Sequence, residues 1–256
     1  MSLGAVLGLD TATPATVVGL APPDGPPVEL RHDPAPGERP QHATRLLPLA
    51  EEALGRAGLG WADVRRIGVG VGPGTFTGLR IGIATARALA QAGGIEVAAV
   101  STLQALATGA AAQMGLDPAA LEAWEPEAGE AEPHGVLAVL DARRGEAFAA
   151  AWRGAQRLLA PVALGPQALA AAARDLQSRA GPGWLAVGDG AVRFRADLES
   201  AAVSVPADSS PVHTVSALQL CRLAATAPAV DHRTLVPEYV RAPDADAAAP
   251  RPPSPA

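Results

Sequence analysis

The chain has 256 residues, 48% of them apolar and 18% charged, with a net charge of −6 and one cysteine, Cys221. That length suits one or two domains. A lone thiol excludes an internal disulfide framework, and no apolar run approaches the ~18 residues that a membrane span needs. Its 20 basic residues are all arginine, so chemistry that requires a lysine amine is excluded, including Schiff-base catalysis and the Walker A phosphate loop. No basic run appears, so contact with nucleic acid is expected to be indirect. The start, MSLGAVLGLDTAT, has no basic stretch ahead of its apolar residues; a cytoplasmic protein with no membrane association is expected.

In chain order, Ala5–Asp10 reads as a strand ending at an acid, followed by a TATP turn and a partner strand at Ala15–Leu20. Residues 21–40 are proline-rich, with a short strand at Val28–Arg31. HATRLLPLAEEALGRA, residues 42–57, carries two adjacent apolar stripes at helical spacing, interrupted by Pro48 and stopped by Gly58. Ile67–Val71 is a strand alternating with glycine, Thr77–Ala92 a helix capped by Thr77, and Glu96–Val100 a strand. Ser101 to Gln104 forms a capping box before a further helix. Residues 117–133 are acidic and carry three prolines, which suggests a loop and a domain transition. The opening pattern then recurs: Gly135–Asp141 is a strand ending in an acid, ARRG a turn, and Glu146–Trp152 a partner strand. A helix at Gln167–Ala180, a strand at Trp184–Val187 meeting a GDG turn, and a helix at Ser216–Ala225 follow. Alternation of strands and helices argues for an α/β protein, and the recurring strand–Asp–hairpin unit for a duplicated one.

GVGVGPGTFTGLRIGIATARALA, residues 68–90, has the glycine content and the strand–turn–helix order of a phosphate cradle. The spacing argues otherwise. Gly70 and Gly72 lack a third glycine at position 75, where threonine stands, and the Walker lysine is missing. Gly68 and Gly70 fall within the strand, where a bare sheet face suits a closely packed helix. Gly78, Gly82 and Thr85 form a small-residue stripe beside the apolar stripe Leu79, Ile83, Ala86 and Ala90, giving that helix two usable faces.

These residues carry a resemblance. GPGTFTGLRIGIATARALA resembles the hallmark segment of the TsaB (YeaZ) family, and PQHATRLLPL its first-helix motif. LGLDTAT, VLDARRGEAF and PEYVRAP are similar to its other landmarks, in the same order. The resemblance implies a duplicated actin-like ATPase (ASKHA, ribonuclease H-like) α/β fold with two lobes. The expected division is residues 1–104, completed by 212–240, then a smaller lobe at 105–211 and a disordered tail at 243–256. It implies a non-catalytic partner subunit of the complex that forms N6-threonylcarbamoyladenosine at position 37 of tRNAs reading A-starting codons. Such a subunit binds and activates TsaD, with TsaE as a further partner, self-associates as a homodimer, and meets tRNA only indirectly. The partner surface is then expected at His42, Leu46, Leu49 and Ala53 of the first helix, and at Gly78, Arg80, Ile81, Gly82, Ala84, Thr85 and Ala88 of the second.

The residues argue against catalysis by this chain alone. TsaD-type enzymes hold a metal with two histidines on the helix after the strand that is here Glu96–Val100; Thr102 and Leu106 stand at those places, and leucine ligates no metal. The five histidines form no i, i+4 pair, and there is no CxxC, HExxH or G-x-S-x-G. No catalytic residue, metal or cofactor is therefore expected, with ATP and Mg²⁺ entering only at the level of the complex. A weak, vestigial nucleotide site could use Asp10, Thr11 and Asp141 at strand ends with Gly188, Asp189 and Gly190 as an adenosine turn; the same acids also suit Asx turns. The alternative function is a small-molecule kinase of the same superfamily, built on Asp10 and Asp141 around Mg-ATP.

Overall fold

The computed structural model describes residues 4–35, 37–115 and 135–241. The expectations for 117–133 and for the tail at 243–256 lie outside them. Strands β1 (Ala5–Asp10), β2 (Thr16–Ala21), β3 (Val28–His32), β4 (Val64–Gly72) and β5 (Glu96–Ser101) form one sheet in the order β3-β2-β1-β4-β5. β6 (Gly135–Arg143), β7 (Glu146–Arg153), β8 (Gln156–Leu164) and β9 (Trp184–Val187) form a second, in the order β8-β7-β6-β9. In each sheet an antiparallel three-stranded meander leads to a parallel fourth strand beside the first. The second sheet therefore repeats the first four strands of the first. This is the duplicated, two-lobed actin-like ASKHA fold.

Helices cover the sheets in layers. α1 (His42–Arg56) and α2 (Phe76–Gly93) bury Leu46, Ala50, Ala53, Leu54, Ile83 and Ala86 against the outer face of the first sheet. α4 (Pro166–Ala180), α5 (Asp189–Arg193) and α6 (Arg195–Ser200) cover the outer face of the second. Between the sheets lie α3 (Thr102–Gln113) and α7 (Ala217–Thr226), in one apolar cluster with residues from both sheets.

α7 explains the glycines of the first sheet. A Cβ on Gly8 would lie 2.5 Å from the Ala217 carbonyl oxygen, one on Gly19 2.6 Å from the Ala217 carbonyl carbon, and one on Gly68 2.5 Å from the Ala224 Cβ. Three neighbouring strands thus present a bare groove in which the helix backbone lies almost on the sheet. Both helix ends are held by charges suited to the helix dipole. The Glu29 carboxylate accepts from the N–H groups of Ala217 and Leu218; the Arg66 guanidinium donates to the carbonyls of Ala224 at 2.7 Å and Ala227 at 3.0 Å.

Some local expectations change. α2 begins at Phe76 with Thr75, not Thr77, at the cap position, and no side chain caps it. Pro48 lies inside α1 on its exposed side. Of the expected capping box the Ser101 half forms, its hydroxyl accepting from the Gln104 N–H at 3.4 Å. β8, α5 and α6 are additional elements; β8 holds Pro161, which an edge strand tolerates because one side of its backbone needs no partner.

Candidate functional site

The first strand-end acid is sealed inside its own lobe. Asp10 is fully buried; its Oδ1 accepts from the Ala12 N–H at 2.8 Å and its Oδ2 from the Thr102 hydroxyl at 2.8 Å. Gly70 makes the space: a Cβ there would lie 1.9 Å from Asp10 Oδ2. Burial pushes the Asp10 pKa up to about 6, against the lowering effect of those two hydrogen bonds. The adjoining Thr11 hydroxyl donates to the Gly78 carbonyl of α2 at 2.7 Å. The glycine-rich turn closes onto the same place. The Thr75 N–H donates to the Ala12 carbonyl at 2.8 Å, and a Cβ on Gly74 would lie 2.5 Å from that oxygen. The two turns pack into each other, and the Thr75 and Ala12 N–H groups are committed to protein acceptors.

The second strand-end acid is arranged differently. Asp141 accepts from the Arg143 N–H at 2.9 Å, an Asx turn, and from the Arg193 guanidinium at 3.1 and 2.9 Å on its two oxygens. The Arg143 guanidinium lies 3.4 Å away. The Asp141 N–H donates to the Asp189 carboxylate at 3.0 Å, and burial raises the pKa of Asp189. Gly188, with φ of +106°, turns β9 into α5; a Cβ there would lie 2.1 Å from the Val139 carbonyl. Its N–H donates to His213 Nδ1 at 3.1 Å, which leaves His213 Nε2–H to donate to the Pro206 carbonyl at 3.2 Å. Gly190 is buried against Leu140. The structure therefore places Asp141, Gly188, Asp189 and Gly190 together and keeps Asp10 and Thr11 in the other lobe, buried and occupied. A shared Asp10–Asp141 site with both acids open to solvent does not form.

Between the lobes lies a cavity of about 520 Å³. Three segments line it: the turn Pro73–Phe76 ahead of α2, the β6–β7 hairpin at Asp141–Arg144, and the strap Glu238–Arg241. Arg143 and Arg144 have φ of +62° and +54°, a left-handed backbone that costs a non-glycine residue about 1–2 kcal/mol. Phe76 and Tyr239 stack at 5.6 Å, the Arg80 guanidinium lies 3.6 Å from the Phe76 ring centre, and Arg80 Nε donates to the Tyr239 hydroxyl at 3.2 Å. On the opposite side Arg241 pairs with Glu146 at 2.6 Å and donates to the Ala142 carbonyl at 3.3 Å. Burial raises the pKa of Glu238.

Residues 38–183, more than half of the chain, match the family model described as TsaD: tRNA N6-adenosine threonylcarbamoyltransferase. A protein named tRNA threonylcarbamoyladenosine biosynthesis protein TsaB, from Escherichia coli K12, is 35% identical over 152 residues, 59% of this chain and 55% of its own length. The solved structure of YeaZ from Pseudomonas aeruginosa superposes with a TM-score of 0.66 at 27% identity, covering 93% of this chain and all of its own. A further structure, described as an uncharacterized protein with similarity to peptidase YEAZ from Pseudomonas aeruginosa, gives a TM-score of 0.71 at 28% identity over the same shares. The chain belongs to the TsaB (YeaZ) family. In sequence it spans about half the length of the curated relatives it matches.

Of the residues expected at a partner surface on α1 and α2, the structure turns several into the chain's own interior. His42, Leu46, Ala53, Gly78 and Gly82 are buried within the chain. Leu46 and Ala53 are part of the first lobe's apolar core. His42 Nδ1 meets the Thr16 hydroxyl at 2.8 Å, and burial lowers its pKa, aided by the charge of His32. A Cβ on Gly78 would lie 2.0 Å from the Thr11 carbonyl and one on Gly82 2.4 Å from its hydroxyl. The small-residue stripe of α2 thus packs on β1 and its following turn. Arg80, Ala84 and Ala88 face solvent, with Leu49, Ile81 and Thr85 half-buried. Leu47, which sequence reasoning did not select, is 43% exposed. The two residues standing where a TsaD-type enzyme holds its metal do not fit one: the Thr102 hydroxyl is committed to Asp10, and Leu106 lies in the core between the sheets. Among the described residues no group of three metal-ligating side chains comes together. Sequence reasoning also missed Arg193, which holds Asp141, and the arginines and aromatics of the cavity. The two arginines of ARRG, in a turn too short for non-glycine residues without left-handed backbone, were the available signal.

Proposed function

We propose that this chain is a non-catalytic partner subunit in the formation of N6-threonylcarbamoyladenosine at position 37 of tRNAs reading A-starting codons. It acts in the cytoplasm by docking on TsaD through α1 and α2 and stabilising the active form of that enzyme. TsaE joins the same assembly, any ATP and Mg²⁺ act at that level, and self-association through the same helices competes with docking. One observation carries this reading. The strand-end acid and turns that a kinase of this fold would use for Mg-ATP are spent on internal hydrogen bonds, between Asp10, Ala12, Thr102, Thr11 and Gly78, while α1 and α2 keep Leu47, Ala84 and Ala88 exposed.

The test is co-purification with TsaD. Leu47→Glu and Ala84→Arg place charge on the outward faces and should abolish the complex while leaving thermal unfolding unchanged. Leu46→Glu, by contrast, puts a charge at a site 2% exposed and should unfold the chain. Reconstitution of purified TsaD, TsaE, threonylcarbamoyl-AMP and tRNA should yield modified nucleoside only with the unaltered chain. Complex formation by both surface variants at wild-type affinity would end the docking reading.

A further inference from the structure

We propose that Thr16, His32 and His42 form a proton-operated latch that releases the first turns of α1 on acidification and thereby weakens docking through that helix; the second effect rests on α1 being a docking surface. Strand register builds the cluster. Thr16 of β2 stands directly opposite His32 of β3. Side chains alternate along a strand, so Val28, Leu30 and His32 share one face of β3. Val28 and Leu30 pack there against the core that α1 closes. His42 is the first residue of α1, 3% exposed, and its Nδ1 meets the Thr16 hydroxyl at 2.8 Å. Two imidazoles thus gather around one hydroxyl.

Neither ring is satisfied. His42 Nε2 and His32 Nδ1 are buried and have no hydrogen-bond partner among the described residues. A charged imidazole carries N–H on both nitrogens, whichever tautomer it had when neutral. The charged form of either ring therefore buries an N–H without an acceptor. The surroundings offer no free anion. β2 has no charged residue. On β3, Glu29 faces the other way and holds the N–H groups of α7, while Arg31 takes both oxygens of Asp33 at 2.7 Å. In the loop ahead of α1, Glu38 accepts from the Ala35 N–H and Arg39 is a cation. α2 brings Arg80 and Arg87, both exposed cations. On α1 itself Arg45 bonds to Gln41, and Glu51 stands about 13 Å along the helix from His42. The positive end of the helix dipole also lies at His42. Burial, then the charge of His32, push the pKa of His42 down.

The first turn is lightly held. No side chain caps it, no acid stands in it, and Ala43, Thr44 and Arg45 are exposed. Below the ordinary histidine value of 6.5 the opened turn takes up protons that the closed one refuses, so its population rises as pH falls.

Amide exchange of the isolated full chain, corrected for intrinsic rates, tests the latch at about pH 7.5 and about pH 5. In wild type, protection at Leu46, Leu47 and Leu49 should fall about tenfold or more, while β4 and α7 keep theirs. His42→Gln takes no proton and can still meet the Thr16 hydroxyl; its α1 protection should hold within about threefold. The ring signals of wild type give the same answer without a variant: His42 should gain its proton only as α1 loses protection. Unchanged α1 protection at the lower pH, an equal fall in His42→Gln, or a protonated His42 under a protected α1 would each overturn the latch. Affinity for TsaD is a separate arm. It should fall on acidification for wild type more than for His42→Gln, and equal falls would overturn the regulatory effect. Absence of docking at both pH values ends the docking reading alone, because exchange in the isolated chain still decides the latch.

Discussion

Asp10 keeps a carboxylate where no water reaches it, and its pH dependence follows. Its folded pKa, about 6, lies above the unfolded value of 3.8, so the folded state holds the proton longer. Its contribution to stability is complete below 3.8 and is lost as pH rises through about 6, an effect of about 3 kcal/mol. Asp10→Asn keeps an acceptor for Ala12 and a partner for Thr102 without the charge. Denaturant unfolding should show this variant similar to wild type at pH 4 and more stable by about 1–3 kcal/mol at pH 7. An equal loss at both pH values would mean that the carboxylate is not desolvated as described. His42 works in the opposite sense. Burial holds it neutral, so its contribution is present above the unfolded value of 6.5 and lost as pH falls through the depressed folded value. Replacing it with glutamine should flatten the acid limb of the stability profile. Cys221, its pKa pushed up to about 12 by burial, should resist alkylation in the folded chain.

Among the elements, α7 and its groove give the sharpest packing test. Gly19→Ala pushes a methyl group into the Ala217 backbone at 2.6 Å and should cost about 1–3 kcal/mol in urea unfolding. Gly55→Ala, inside α1 with open space around it, should instead stabilise by about 0.5–1 kcal/mol. Similar effects in the two variants would refute the close approach of α7. The sequence pattern made much of this legible. Alternating glycine in β4 signalled a bare sheet face, and the recurring strand–Asp–hairpin unit signalled the duplication, because both follow from a period of two along a strand. The identity of the helix in the groove was not legible: α7 is separated from β4 by the whole second sheet, and no local pattern encodes a partner so distant. The faces of α1 and α2 were misjudged for a related reason. Small residues at helical spacing look alike whether they meet another subunit or, as with Gly78 and Gly82, the Thr11 turn of the same chain. Arg66 and Glu29 meet the two ends of α7 from different strands, a pairing that no local pattern encodes.

At the scale of the molecule, the strap Glu238–Arg241 ties the lobes together. Its Glu238 N–H donates to the Val71 carbonyl at 2.8 Å, Tyr239 stacks on Phe76 of α2, and Arg241 reaches Glu146 across the cavity. Arg241→Ala should raise amide exchange in the β6–β7 hairpin and leave exchange in β1 and β4 unchanged; no change in the hairpin would show that the strap does not brace it. α7 carries a longer-range consequence. The first sheet leaves the ribosome early, yet the helix that fills its glycine groove is encoded more than a hundred residues later. During synthesis the half that emerges second can close around its own apolar residues while the half that emerges first still waits, its grooved face uncovered. A nascent chain stopped before residue 216 would expose that face to chaperones, and birth order and completion order in this protein run opposite to each other.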